Sequence, residues 1–199
     1  MGDRYGPMVV AREPWGQEEL RGKKIAIPGT MTTAFLTLKL FQPDFEGKVI
    51  PFDRIMTAVQ NKEADAGLLI HEGQLTYPDR QLHKIVDLGE WWHKETGLPL
   101  PLGGNVVRRD LGREDIKEVS RLLKESIQYA LDHRKEALEY AMQFARDLDR
   151  KTADRFVGMY VNERTLDYGK EGRLAVQTLF DRAYEAGLIP ARITAEFAD

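Results

Sequence analysis

Apolar positions along this chain follow two different spacings. Up to about residue 110, short apolar runs alternate with short stretches of helical period. "PMVVA" (7–11), "KKIAIP" (23–28), "KVIPF" (48–52), "AGLLI" (66–70), "KIVDL" (84–88) and "GNVVRR" (104–109) read as strands. "TTAFLTLKLF" (32–41) and "DRIMTAVQNKEA" (53–64) read as helices, the second with Asp53 as its N-cap. Strands alternating with short helices predict an α/β fold on a largely parallel sheet. From about Arg113 the period becomes helical throughout. Ile116, Val119, Leu123, Ile127 and Ala130 share one face, and Leu138, Ala141, Met142 and Ala145 make a second stripe. Phe156, Val157, Tyr160 and Val161 make a third. Leu174, Val176, Leu179, Phe180 and Ala183 make a fourth, stopped by Gly187 and Pro190. These helices either pack on the α/β part or belong to a sheet located elsewhere.

Composition narrows the function classes. With 199 residues, 42% of them hydrophobic, the chain can build one sizeable core or two smaller lobes. A net charge of -3 and a pI near 5.9 offer no broad basic surface for nucleic acid or anionic lipid. The absence of cysteine removes disulfides, thiol catalysis and Cys-ligated metal sites. The start, "MGDRYGPMVV", has no charged segment followed by a long apolar one, and no apolar run is long enough to span a bilayer. The expectation is a soluble, cytoplasmic protein with no membrane partner. His71, His83 and His93 match no metal-ligand spacing, so no metal is expected. A GxSxG elbow and a GxxxxGK[ST] phosphate loop are both missing.

Three stretches could carry chemistry. In "IPGTMTTAF" (27–35) a strand ends, Gly29 permits a tight turn and a helix begins near Thr32. The outward N–H groups of such a helix start suit a carboxylate or small oxyanion. Ordinary capping by Thr30 or Thr32 explains the same residues. In "GLLIHEGQLTYP" (67–78) a buried run leads directly to His71 and Glu72. Ligands gather at the carboxyl ends of strands in parallel α/β sheets, and an imidazole placed there can serve as a general base. A histidine satisfied by a backbone carbonyl at the sheet edge is the plainer alternative. In "LGEWWHKETGLPLPLGG" (88–104), Trp91 and Trp92 project about 100° apart on a helix, so one can enter a core while the other closes a pocket. Core packing of both is the plainer reading.

Taken in order, "IPGTMTTAF", "AGLLIHEGQLTYP", "VDLGEWWHKETGLPLPLGG", "RRDLG" and "YVNERTLDYGKEG" resemble the 1,4-dihydroxy-6-naphthoate synthase family of the futalosine route to menaquinone. The resemblance runs along essentially the whole chain. It implies a two-lobed α/β fold like type II periplasmic binding proteins, with the ligand in the cleft. It implies a cofactor-free lyase that converts cyclic dehypoxanthinyl futalosine, a small carboxylate, to 1,4-dihydroxy-6-naphthoate. It places the catalytic base at His71 and substrate contacts at Thr33 and Ala34. Residues 13–103 would then form the lobe carrying that cleft wall. Residues 1–12 and 104–199 would supply hinge strands, near 7–12 and 104–109, and the helical part of the other lobe. The family begins with a further N-terminal segment. This lobe is therefore expected to be incomplete here, and the chain by itself inactive and prone to associate with itself or with the missing fragment. Chorismate dehydratase of the same route, and a non-catalytic binding protein for a small organic acid, are the competing readings.

Overall fold

The structure is a computed structural model that describes residues 1–145 and 149–198. Its first half runs β1 (Met8–Ala11), β2 (Lys24–Ile27), α1 (Thr33–Phe41), β3 (Glu46–Val49), α2 (Ile55–Gln60), β4 (Ala66–Leu69), α3 (Gly73–Thr76), β5 (His83–Asp87) and α4 (Leu88–Thr96). The strands form one sheet in the order β3-β2-β4-β1-β5. β2 is parallel to both β3 and β4, whereas β1 is antiparallel to both β4 and β5. The expectation of a largely parallel sheet is thus corrected at β1, which is inserted against the direction of the other strands.

The connections leaving β2 and β3 run in opposite lateral directions across the sheet. A right-handed crossover in each case puts α1 and α2 on opposite faces. Residue alternation along β2 follows from this. Ile25 and Ile27 face Ala34 and Leu38 of α1, while Ala26 faces Ile55, Ala58 and Val59 of α2. α2 lies so close to β4 that a Cβ on Gly67 would stand 2.6 Å from Ile55 Cγ2 and 2.8 Å from Val59 Cγ2. Glycine at that position is a packing requirement.

Two local readings are corrected. Asp53 does not cap α2: Phe52–Arg54 form a 3-10 turn, and Arg54 occupies the N-cap position without a side-chain bond. Pro51 sets the start of that turn by fixing φ, so the regular helix begins later than the apolar period suggests. Residues 104–109 are not a strand; the only element that begins there is a 3-10 turn at Arg109–Leu111. Val106 is 96% exposed. A β-branched run becomes a strand only where a neighbour takes up its N–H and C=O groups, and among the described residues no strand of the sheet lies beside this one.

The second half is helical, with α5 (Arg113–Asp132), α6 (Arg134–Met142), α7 (Arg150–Tyr160), α8 (Glu163–Leu166) and α9 (Gly169–Glu185). α9 ends at Gly187, whose φ of 69° stops the helix where the sequence places the stop. Leu179 of α9 joins Trp92 and Leu100 in a buried cluster, with Leu36 and Leu40 of α1 packed against it. α9 therefore docks on the α/β part. α5 does not: none of its residues is buried, and Val119, Leu122 and Leu123 remain 44%, 50% and 41% exposed.

Asp87 closes β5 and caps α4, accepting from Gly89 N at 2.8 Å and Glu90 N at 3.2 Å. Burial outweighs these bonds and pushes its carboxyl up from 3.8 to about 6. A raised pKa means the folded state holds a proton that the unfolded chain has released. The resulting stability is present below about pH 4 and is lost as pH rises through about 6, a change on the order of 3 kcal/mol. Asparagine caps as well as aspartate. Asp87→Asn is therefore expected to flatten this part of the pH profile, read as denaturation midpoints at about pH 4 and about pH 7. An unchanged profile would refute the assignment to Asp87.

Candidate active site

β2 and β4 are adjacent parallel strands whose outgoing chains diverge, β2 to α1 on one face and β4 towards the other. This is the switch point at which open α/β sheets leave a crevice. The two chemical stretches of the sequence flank it. From β2, the chain turns at Gly29, with φ of 151°, and enters α1. Thr32 is the N-cap, its Oγ1 accepting from Phe35 N at 3.1 Å and donating to the Gly29 carbonyl at 2.9 Å. Capping and an anion site are compatible here. The cap consumes the N–H at the third helical position, and helical geometry gives the first two, on Thr33 and Ala34, no carbonyl within the helix. Thr33 is half-buried and Ala34 buried.

From β4, one residue, Ile70, separates the strand's last member, Leu69, from the histidine at the mouth of the crevice. His71 has left-handed backbone geometry, φ 57°. A non-glycine residue enters this region rarely and at a cost, and such residues concentrate at functional sites. Its side chain is exposed between two aromatic rings, Phe52 at 4.7 Å and Phe156 of α7 at 6.2 Å between centroids. These residues, with Glu72, Leu138, Met142 and Val157, line a cleft of about 320 Å³ between the sheet edge and the α6–α7 pair. Glu72 is half-buried, and among the described residues it makes no hydrogen bond to the imidazole. Thr33 and Ala34 are not part of this lining; they stand on the neighbouring strand's exit.

Gln74 and Tyr160 stand behind His71, and their type and spacing gave no sign of it. Gln74 is only 3% exposed, and its Nε2 donates to Tyr160 Oη at 3.1 Å. Burial pushes the phenol up to about 12, against the opposing pull of the Gln74 amide and the His71 backbone. Phe156 and Tyr160 are four residues apart, which puts both on one face of α7; that period reads equally well as a core stripe. The tryptophans are corrected toward the plainer alternative. Trp92 is fully buried and donates from Nε1 to the Pro99 carbonyl at 3.2 Å. Trp91 packs edge-on against Phe41 at 5.4 Å, and neither lines the cleft.

Among the described residues, no three His, Cys, Asp or Glu side chains gather as metal ligands would, and no helix is long and apolar enough to cross a membrane.

A family model described as menaquinone biosynthesis matches residues 1–185. A 1,4-dihydroxy-6-naphthoate synthase of Thermus thermophilus is 43% identical over 188 residues, covering 94% of this chain and 68% of that protein. A crystal structure of an Archaeoglobus fulgidus protein superimposes with a TM-score of 0.90 at 49% identity, over 94% of this chain and 70% of that one. The periplasmic sulfonate-binding protein of Methylobacillus flagellatus aligns with a TM-score of 0.61 at 16% identity, over 94% of this chain and 60% of that one. The last likeness speaks for the fold alone, which is α/β and of the two-lobed periplasmic-binding-protein type.

Proposed function

The chain belongs to the menaquinone biosynthesis family, and from that premise we propose that it converts cyclic dehypoxanthinyl futalosine to 1,4-dihydroxy-6-naphthoate, with His71 as general base. The observation that carries this reading is the pairing at the switch point: a histidine turn on β4 beside a helix start with unclaimed N–H groups on β2. The substrate carboxylate binds the N–H groups of Thr33 and Ala34, where donors and helix dipole both favour an anion. That anchoring lays the rest of the molecule across the crevice toward His71. The exposed imidazole then takes a proton from the substrate in the step that leads to release of the sugar-derived fragment. Phe52 and Phe156 offer apolar walls to the aromatic part of the substrate. Residues 13–103 form the lobe that carries the His71 and Thr33/Ala34 wall, and Leu138, Met142, Phe156 and Val157 of the helical part face it.

The reading is tested by incubating the purified chain with cyclic dehypoxanthinyl futalosine and following naphthoate by chromatography. The assay is run with the chain alone and with the uncovered third of a relative's chain supplied separately. Naphthoate in neither mixture rejects the reading.

Thr33→Pro tests the anion site separately. Proline is well tolerated at the first helical position and requires an extended residue before it. Thr32, at φ -122° and ψ 147°, already meets that requirement. The helix should persist with one donor fewer. A hydrogen bond to a charged group contributes about 1.5–3 kcal/mol, so affinity for the substrate should fall by about 10- to 100-fold. Unchanged affinity in calorimetric titration would move the carboxylate elsewhere.

A further inference from the structure

The pair of buried Gln74 and half-buried Tyr160 has no part in the chemistry described above, yet it is tied to His71 at several points. Gln74 is the second residue of the short α3, and its backbone N–H donates to the His71 carbonyl at 3.2 Å. Its side chain reaches in the other direction, to Tyr160 at the end of α7. The His71 backbone also pulls on the same phenol, lowering its pKa against the effect of burial. One turn earlier on α7, Phe156 lies 4.9 Å from the Tyr160 ring and 6.2 Å from the His71 ring. One helix face therefore holds both the main chain and the side chain of the histidine turn.

We propose that Tyr160 is a positioning residue for His71: through Gln74 and the His71 backbone, it holds the turn that presents the imidazole between Phe52 and Phe156. This assignment rests on the reading of His71 as the base. The physical reason is the asymmetry of a buried amide. Gln74 is almost wholly enclosed, and its Oε1 is buried without a partner. The phenol is thus the one side-chain partner of that amide among the described residues. A buried polar group left unpaired moves toward water at the expense of the packing around it. Removing the hydroxyl leaves the whole amide unsatisfied, and the segment free to move is the one that begins at His71. That residue sits in a left-handed conformation, which an L-residue keeps only where its surroundings enforce it. Without the link, the turn relaxes and the imidazole leaves its place between the rings.

The test reads the position of the imidazole directly. The chain has four histidines, so the ring-proton signals of His71 are assigned by their absence in a His71→Asn spectrum. In the wild-type chain, the flanking phenyl rings displace these signals from their positions in an unstructured histidine, and nuclear Overhauser contacts link the Tyr160 ring to the His71 amide. Tyr160→Phe should move the His71 signals back toward the unstructured positions with the melting transition preserved. Gln74→Met breaks the same link from the other side and should do likewise. Tyr168→Phe removes a phenol that bonds Gly103 instead, and should leave the signals in place. Unmoved His71 signals in either folded variant overturn the proposal, and so does the absence of Tyr160–His71 contacts in the wild-type chain. The two readings fail separately: turnover that survives His71→Asn removes the base and leaves these shifts as they are.

Discussion

Replacing His71 by asparagine is expected to lower turnover by about 10²–10⁴-fold, the usual contribution of a positioned general base. The fold should survive. The side chain is exposed and fills no core, and asparagine is among the few residues that accept the left-handed backbone this position requires. The comparison is made on kcat in whichever preparation forms naphthoate, with thermal melts alongside. Substrate affinity should change little, because the proposed carboxylate contacts lie at the start of α1. Turnover within a few-fold of wild type would take His71 out of the mechanism. A large loss of melting temperature would instead make it a structural residue.

Trp92→Ala is expected to be the most destabilising single change, on the order of 3–5 kcal/mol. The indole is fully buried, and it shares a cluster with Leu100 and Leu179 that fastens α9 to α1 and α4. Truncation leaves a large void and also strips the Pro99 carbonyl of its indole donor. Domains are stable by only about 5–15 kcal/mol, so this substitution should remove a substantial part of the total. Chemical denaturation measures it directly. Trp92→Phe, which retains a ring but not the N–H, should fall between the two. A Trp92→Ala loss below about 1 kcal/mol would mean that α9 is not held through this cluster.

Much of the α/β half was legible because its elements obey local rules. β2, β4 and β5 are short apolar runs closed by turn residues, and they appear where the pattern puts them. α1 starts after the Gly29 turn with a threonine cap, as the residues around it imply. The failures share a cause, which is that each depended on a neighbour. "GNVVRR" has the composition of a strand but lacks a partner edge, so it stays irregular. β1 looks like any other strand in sequence, and its antiparallel insertion between β4 and β5 is a property of the sheet. The apolar stripe of α5 predicts a buried face, yet Ile116, Ile127 and Ala130 are only half-buried and Val119 and Leu123 exposed, because a period specifies which side of a helix is apolar and not what will cover it.

The candidate site divides in the same way. A histidine after a buried strand and a glycine turn before a helix each have a local chemical meaning, which singles out His71 and the start of α1, whereas the choice of Thr33 and Ala34 comes from the family resemblance. The sequence by itself determined these residue types, the α/β alternation and the helical second half. Only the tertiary structure decided that β2 and β4 lie side by side, bringing the two stretches to one crevice. It also decided that Phe156 and Tyr160, far along the chain, come to the His71 ring and to Gln74 of the adjoining turn. The reason is physical: backbone geometry and turn chemistry act over a few residues, whereas strand order and the burial of a side chain are settled by packing between segments whose separation along the chain carries no trace of their contact.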